Sequence, residues 1–108
     1  MEAIKTRIID KLNKAIKENV KQAVGMYNDG NSYCAVGVLE MWNGDKIETN
    51  ELRKYRARCP ITKCYTNDPN KTYSLPTIII HMNDDHRWSF RYIRNQIKKL
   101  ELTEQKGL

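Results

Sequence analysis

The chain has 108 residues, which is enough for one domain with a modest hydrophobic core. Its 19 Lys and Arg against 13 Asp and Glu give a net charge of +6, which favours an anionic partner such as nucleic acid, an acidic protein or a phosphate ligand. No run approaches the ~20 apolar residues of a membrane span, and the odd number of cysteines argues against a secreted disulfide framework. We therefore expect a single cytoplasmic domain over residues 1–108, with no membrane partner and with an oligomeric state that composition leaves open.

The first predicted element is an amphipathic helix over residues 2–24. Apolar side chains recur there every three or four residues, which is the spacing of one helix face. They are Ile4, Ile8, Leu12, Ile16, Val20 and Ala23. Lysines occupy most of the remaining positions and are typical of a solvated face. Gly25 is the expected end of the helix, and residues 27–31 are a turn by composition.

A second helix is predicted over residues 33–42. Ser32 is the expected cap and Asn43-Gly44 the expected end. Nearly every residue between them is apolar or small, which is typical of a helix buried on most sides. Gly37 costs about 1 kcal/mol of helix propensity relative to Ala, and a close packing contact is a reason for a helix to tolerate it.

Residues 45–75 are predicted to form a variable, irregular insert. Pro60 and Pro69 interrupt any regular pattern there. A short, strongly basic third helix is expected over residues 50–58, with Asn50 as its cap. A short β-hairpin around residues 61–65 is the alternative to a wholly irregular second half.

The C-terminal part, residues 76–104, is predicted to resemble a helix-turn-helix. Pro76 suits the start of a helix, but the β-branched run at residues 77–80 also suits a strand, and local pattern leaves the two open. The last helix is clearer because Ser89 can cap it and Gly107 can stop it. Its apolar stripe consists of Phe90, Ile93, Ile97 and Leu100. The expected fold is therefore mostly α, a single small bundle of about four helices around the insert.

A basic stripe runs along the last helix, about 110° round from the apolar stripe. Trp88 and Tyr92 are four residues apart on a further flank and can touch each other. Arginine forks suit phosphate groups, while Arg, Tyr and Trp are enriched in protein interfaces. The predicted binding residues are Arg87, Arg91, Arg94 and Lys98 of the stripe, the aromatic pair Trp88 and Tyr92, and Arg53 and Arg56 of the third helix.

Two segments resemble a family of small helical proteins of tailed phages and their bacterial hosts. Cys34-Ala35-Val36-Gly37-Val38-Leu39 resembles its C-x-[LVI]-G-[AV]-L motif. Residues 80–90, IHMNDDHRWSF, resemble its second signature, in which [LM]-N-D is followed by W-S-F and a helix. The resemblance covers about a third of the chain. It implies a mostly helical domain, a helical conformation for residues 78–83 and no assigned enzymatic activity. The family's usual acidic and alanine positions are replaced here by Arg91, Tyr92, Arg94 and Asn95, so the exposed chemistry of the last helix need not carry over.

Four residues are candidate zinc ligands. Cys59 and Cys64 have a C-x4-C spacing, and His81 and His86 follow downstream. Zinc takes four N or S ligands in a tetrahedron, but histidines five apart do not share a helix face. The favoured interpretation is therefore two reduced thiols in a loop, with no metal and no cofactor, and a Cys59–Cys64 disulfide is a further alternative. Cys34 is interpreted as a small hydrophobic core residue.

No sequence pattern marks an enzyme. A Gly-rich phosphate loop, a Walker lysine and a dinucleotide fingerprint are all missing from the sequence, and no cysteine has the local context of an activated nucleophile, so no catalytic residue is predicted. We expect a non-enzymatic binding protein of phage or mobile-element type that docks on a host protein through its basic and aromatic face, for example an anti-defence inhibitor such as an anti-CRISPR protein. The alternatives are a DNA- or RNA-binding accessory protein and a small zinc-stabilised domain.

Overall fold

The computed structural model describes residues 1–25 and 30–105, and it has mixed α/β character. Its elements in chain order are α1 (Glu2–Lys17), α2 (Ala35–Leu39), a 3-10 turn (Asn43–Asp45), α3 (Thr49–Leu52), β1 (Tyr55–Ala57), β2 (Tyr73–Ser74), α4 (Leu75–Asp84), α5 (Phe90–Ile97) and β3 (Thr103–Glu104). The expected helical bundle is therefore correct only for the dominant helices, because a three-stranded sheet accompanies them. The predicted turn at residues 27–31 falls mostly outside the described residues, as does the predicted stop at Gly107.

The first helix ends at Lys17 and not near residue 24. Asn19 takes a left-handed φ of 56°, its N–H donates to the carbonyl of Ile16, and the N–H of Val20 donates to the carbonyl of Ala15 at 2.9 Å. This Schellman arrangement terminates the helix. Ala23 is still buried, because the following residues run extended and form a bridge from Gln22 to Tyr33. The apolar spacing thus continued past the true end of the helix.

The second helix is shorter than the predicted 33–42, and Cys34 caps it in place of Ser32. The Cys34 Sγ accepts a hydrogen bond from the N–H of Gly37 at 3.4 Å. All five residues of α2 are buried, as its apolar composition predicted. Its exit is an irregular turn in which Trp42 has a φ of 62°.

The insert and the C-terminus together build the sheet, which the sequence did not indicate. The helix expected over residues 50–58 stops at Leu52, and the central strand β1 follows, pairing antiparallel with β2 and with β3. No hairpin forms at residues 61–65, which are turns. The last helix ends at Ile97, so that Thr103–Glu104 can join the sheet.

The core lies between α5 and α1, with α2 packed between α1 and α4. The predicted apolar stripe of the last helix is buried throughout, and Ser89 caps that helix by accepting from the N–H of Tyr92 at 3.2 Å. The β-branched run at residues 77–80 is helical, with Ile78 and Ile79 buried. Among the described residues, no helix has the length and apolar character needed to cross a bilayer.

The side chain of Asn83 connects the end of α4 to the start of α2 and to the segment before it. Its side chain is fully buried. The Oδ1 atom accepts from the N–H of Ala35 at 3.0 Å and from Nε2 of Gln22 at 2.8 Å, and Nδ2 donates to the carbonyl of Ala23 at 2.8 Å. Asp84 accepts from the N–H of Gly25 at 2.9 Å. These bonds fix the C-terminal end of α4 against the start of α2.

Candidate metal centre

Cys59, Cys64, His81 and His86 converge where the loop after β1 meets the C-terminal end of α4. Their ligand atoms all lie within 4.8 Å of one another. The Cys59 Sγ is 3.4 Å from Nε2 of His86. The Cys64 Sγ is 3.2 Å from Nε2 of His81 and 3.6 Å from Nε2 of His86. Four soft or borderline ligand atoms therefore surround one small volume.

The spacing of these atoms matches a tetrahedral zinc ion. Zn–S bonds of about 2.3 Å and Zn–N bonds of about 2.0 Å at tetrahedral angles place sulfur and nitrogen about 3.5 Å apart. The three measured S···N distances, 3.2, 3.4 and 3.6 Å, bracket that value. The upper bound of 4.8 Å for every pair exceeds the tetrahedral S···S separation by only about 1 Å. Small side-chain rotations therefore complete the geometry.

The loop that carries the two cysteines is closed by its own backbone. The N–H of Cys59 donates to the carbonyl of Thr66 at 3.3 Å, and the N–H of Cys64 donates to the carbonyl of Ile61 at 3.0 Å. The Asn67 side chain donates to the carbonyl of Cys59 at 2.7 Å. These bonds turn the chain back on itself, which brings both sulfurs to the same side of the loop.

His81 is held in the orientation that a metal ligand needs. It is 5% exposed and lies in the last turn of α4. Its Nδ1 is 2.7 Å from Oδ2 of Asp85, one helical turn further on, and the Tyr65 hydroxyl donates to the same oxygen at 3.0 Å. Hydrogen bonds from His81 and then Tyr65 lower the pKa of Asp85. A carboxylate on Nδ1 leaves Nε2 free for metal, as in carboxylate–histidine–zinc sites.

His86 reaches the site because it lies beyond the end of the helix. Its N–H donates to the carbonyl of His81 at 3.2 Å, and Arg87 then turns the chain with a φ of 55°. The His86 ring stacks on Trp88, with centroids 4.4 Å apart and 13° between the planes. The five-residue histidine spacing argued against a shared site only on the assumption that both rings project from one helix.

The two thiols of the cluster differ in acidity, and all three cysteines in the chain are free. Burial raises the pKa of Cys59. Burial also acts to raise the pKa of Cys64, but hydrogen bonds from the hydroxyl and backbone of Thr66, and then from His86, lower it to about 6. The thiolate is the form that binds metal. Cys34 lies outside this group, and burial raises its pKa, as suits a core residue.

The predicted basic stripe divides into solvated and bonded members. Arg87, Arg91 and Lys98 are exposed, and none of them has an ion pair with a residue in the described ranges. Arg94 is half-buried and donates to Asn13 at 2.9 Å, which ties α5 to α1. Arg87 lies before α5, which begins at Phe90, and it has a left-handed φ of 55°, so the predicted helical stripe does not extend to it.

The other predicted binding residues also fall into two groups, those that are exposed and those that bond within the fold. Trp88 and Tyr92 touch, with ring centroids 4.8 Å apart, and Tyr92 is exposed. Arg53 is exposed, and its side chain donates a hydrogen bond to the nearby Asn50. Arg56 joins all three strands, because it donates to Thr72 just before β2 and to Gln105 just after β3. Its guanidinium is therefore committed to the sheet.

Sequence reasoning missed several residues of this region. Asp85 could have been found, because a carboxylate four residues after a histidine lies on the same helix face. Thr66 carried no such signal, although its hydroxyl lies 3.1 Å from Nε2 of His81. A cleft of about 560 Å³ beside Cys59 was also missed, since its walls come from separate parts of the chain.

No protein-family model, curated protein or solved structure matches this chain. Its function is therefore inferred from the geometry of these sites and from the physical chemistry of the side chains in them.

Proposed function

We propose that this protein is a small, non-enzymatic binding domain of phage or mobile-element type that is stabilised by a structural zinc ion. The observation that carries the proposal is the convergence of Cys59, Cys64, His81 and His86 within 4.8 Å, with Asp85 orienting His81. Four protein ligands fill a tetrahedral zinc ion and leave no position open for a substrate, which is the pattern of structural rather than catalytic zinc sites.

A metal cross-link would stabilise the part of the fold that has the least regular secondary structure. The strands contain only two or three residues each, so the sheet has few ladder hydrogen bonds of its own and relies on its packing against α4. Residues 58–72 form no helix or strand, and the backbone hydrogen bonds that close this loop, such as that from Cys59 to Thr66, join the loop to itself. Zinc would join two ligands of this loop, Cys59 and Cys64, to two at the end of α4, His81 and His86. Binding free energy of that kind contributes directly to folding.

Elemental analysis of the purified full chain tests the proposal. We expect one equivalent of zinc per chain, and we expect Cys64→Ser and His86→Ala to lose it. Cys34→Ser is the matched control, since Cys34 lies outside the cluster, and it should keep its zinc. A wild-type chain that binds no zinc when refolded with the metal, and that melts at the same temperature with and without chelator, would contradict the proposal.

The binding role rests on the exposed cations rather than on the metal. Arg87, Arg91 and Lys98 are exposed and have no carboxylate partner in the described ranges, and Tyr92 of the same segment is exposed as well. An unpaired basic face beside aromatic side chains fits an anionic partner. An acidic surface of a host protein, as expected for an anti-defence inhibitor, and a nucleic acid both meet that description.

A further inference from the structure

A polar cleft lies directly beside the candidate metal centre. It encloses about 560 Å³ between the cysteine-bearing loop on one side and α5 with the residues that follow it on the other, a size within the range of small-ligand sites. Cys59 belongs to both its wall and the metal cluster. The side chains that give the cleft its chemistry are Arg58, Tyr92, Gln96 and Lys99.

Gln96 provides a hydrogen-bonding group without a partner. Its side chain is 7% exposed, and no hydrogen bond joins its amide to any residue that the structure describes. No described side-chain nitrogen or oxygen is both fully buried and unbonded, so the Gln96 amide keeps its access to solvent. That residue lines the cleft, and an amide there can donate and accept at once. Such a group suits the edge of a nucleobase.

The charge of the cleft is positive. Within the described part of the chain, Arg58 donates to the backbone carbonyls of Asp68 at 2.7 Å and Pro69 at 2.9 Å, which orient its guanidinium without neutralising it. Lys99 is exposed and has no ion pair within the described ranges. Against these two cations stands one acidic residue in the wall, Glu101. Guanidinium and ammonium groups in this arrangement suit phosphate oxygens.

Tyr92 provides an exposed aromatic ring that packs against Trp88. Its ring is 44% exposed and contacts Trp88 edge to face, and Trp88 stacks on the candidate ligand His86. A ring held in this way loses little conformational freedom when a base stacks on it. Stacking on aromatic side chains is a general mode of binding single-stranded nucleic acid.

We propose that this cleft binds a nucleotide of single-stranded RNA or DNA, with the base stacked on Tyr92, its edge against Gln96 and its phosphates against Arg58 and Lys99. A base in a duplex cannot do this, because both its faces and its pairing edge are already occupied. The proposal rests on the anionic-partner part of the proposed function and identifies that partner, but it does not depend on the identity of the metal.

Fluorescence anisotropy with labelled 12-nucleotide RNA and DNA strands, and with the matched duplex, tests this on the zinc-loaded full chain at low salt. We expect single strands to bind more tightly than the duplex, with an affinity that falls steeply as salt rises. Tyr92→Ala should weaken binding about ten-fold or more, while Tyr92→Phe, which keeps the ring, should retain it. Lys99→Glu should weaken binding more than Lys17→Glu, a matched charge change on an exposed lysine outside the cleft.

Three outcomes would overturn the proposal: no binding of any single strand, equal binding of the duplex, or wild-type affinity in Tyr92→Ala. Displacement of the oligonucleotide by polyglutamate at equal charge concentration would also overturn it, in favour of an acidic protein partner. Zinc content is measured on the same samples. A zinc-loaded chain that ignores oligonucleotides refutes the cleft alone, whereas a chain that binds them without any zinc refutes the structural zinc site alone.

Discussion

Asp85 is not one of the four candidate ligands, but it orients the imidazole ring of one of them, His81. Its carboxylate lies 2.7 Å from Nδ1 of His81 and also accepts from Tyr65. That contact selects the tautomer in which Nε2 of His81 carries a lone pair. The side chain of Asp85 is itself exposed, so it contributes little to the core. Its role in the site is to position a ligand.

Replacement of Asp85 by alanine should therefore weaken zinc binding without unfolding the domain. We expect the affinity to fall about 10- to 100-fold, which is the usual cost of losing such a partner of a metal-bound histidine. Competition with a chromogenic chelator measures the change. Asp10→Ala, at an exposed position on α1, is the control and should have wild-type affinity. Equal affinities for the two variants would show that Asp85 has no part in the site.

Among the secondary-structure elements, helix α4 connects the hydrophobic core to the candidate metal centre. Its middle is buried through Ile78, Ile79 and Met82, and its end is fixed by the buried hydrogen bonds of Asn83. His81 therefore starts from a rigid position. The loop at residues 58–72 lacks such anchoring and gains the most from a metal cross-link. The stability of the two parts should consequently respond differently when zinc is removed.

Hydrogen exchange before and after chelation can measure that difference. We expect amides in residues 58–72 and in the strand pair β1–β2 to exchange much faster without zinc, because local opening no longer has to break metal bonds. Amides of α1 and α5, which pack along each other in the core, should change little. A uniform loss of protection throughout the chain would indicate a single cooperative unit, and no change anywhere would argue against a bound metal.

Across the molecule, some of the cationic side chains bond to other residues and stabilise the fold, while others are exposed to solvent. Arg56 and Arg94 have polar partners that hold elements together, and Arg7 pairs with Glu51. Arg87, Arg91 and Lys98 have no such pairing within the described ranges. Together with lysines exposed elsewhere, such as Lys17 and Lys46, these three cations carry part of the net charge of +6.

Combined replacement of Arg87, Arg91 and Lys98 by glutamate should abolish binding to an anionic partner while the melting temperature changes little. The reversal removes three attractive charges from the face and adds three repulsive ones. Binding is measured by anisotropy with the labelled strands, and folding by thermal denaturation with a zinc assay. Lys17, Lys46 and Lys71, exposed elsewhere, provide a triple control with the same charge change. Equal binding by the two triple variants would show that only net charge matters.

Much of the helical core could be predicted from the amino-acid sequence. Periodicity identified the buried stripe of α5 and the start of α1, because both depend on residues three and four apart, and apolar composition indicated the burial of α2. The sequence also named the two cysteines and two histidines as candidate zinc ligands, but the spacing of the histidines argued against a shared site. Periodicity extended α1 beyond Asn19 and α5 beyond Ile97, since apolar residues such as Ala23 and Leu100 remain buried after the helix has ended.

Contacts between residues that are distant in the sequence are visible only in the folded structure. The partners of β1 lie at residues 73–74 and 103–104, and sheet pairing over such distances has no local sequence signal. His86 joins His81 because the helix ends at Asp84 and the chain turns at Arg87. The cleft could not be predicted either, because its lining residues, such as Arg58 and Gln96, lie far apart in the sequence. Helices follow from short-range periodicity, whereas the metal centre and the cleft follow from packing between distant segments.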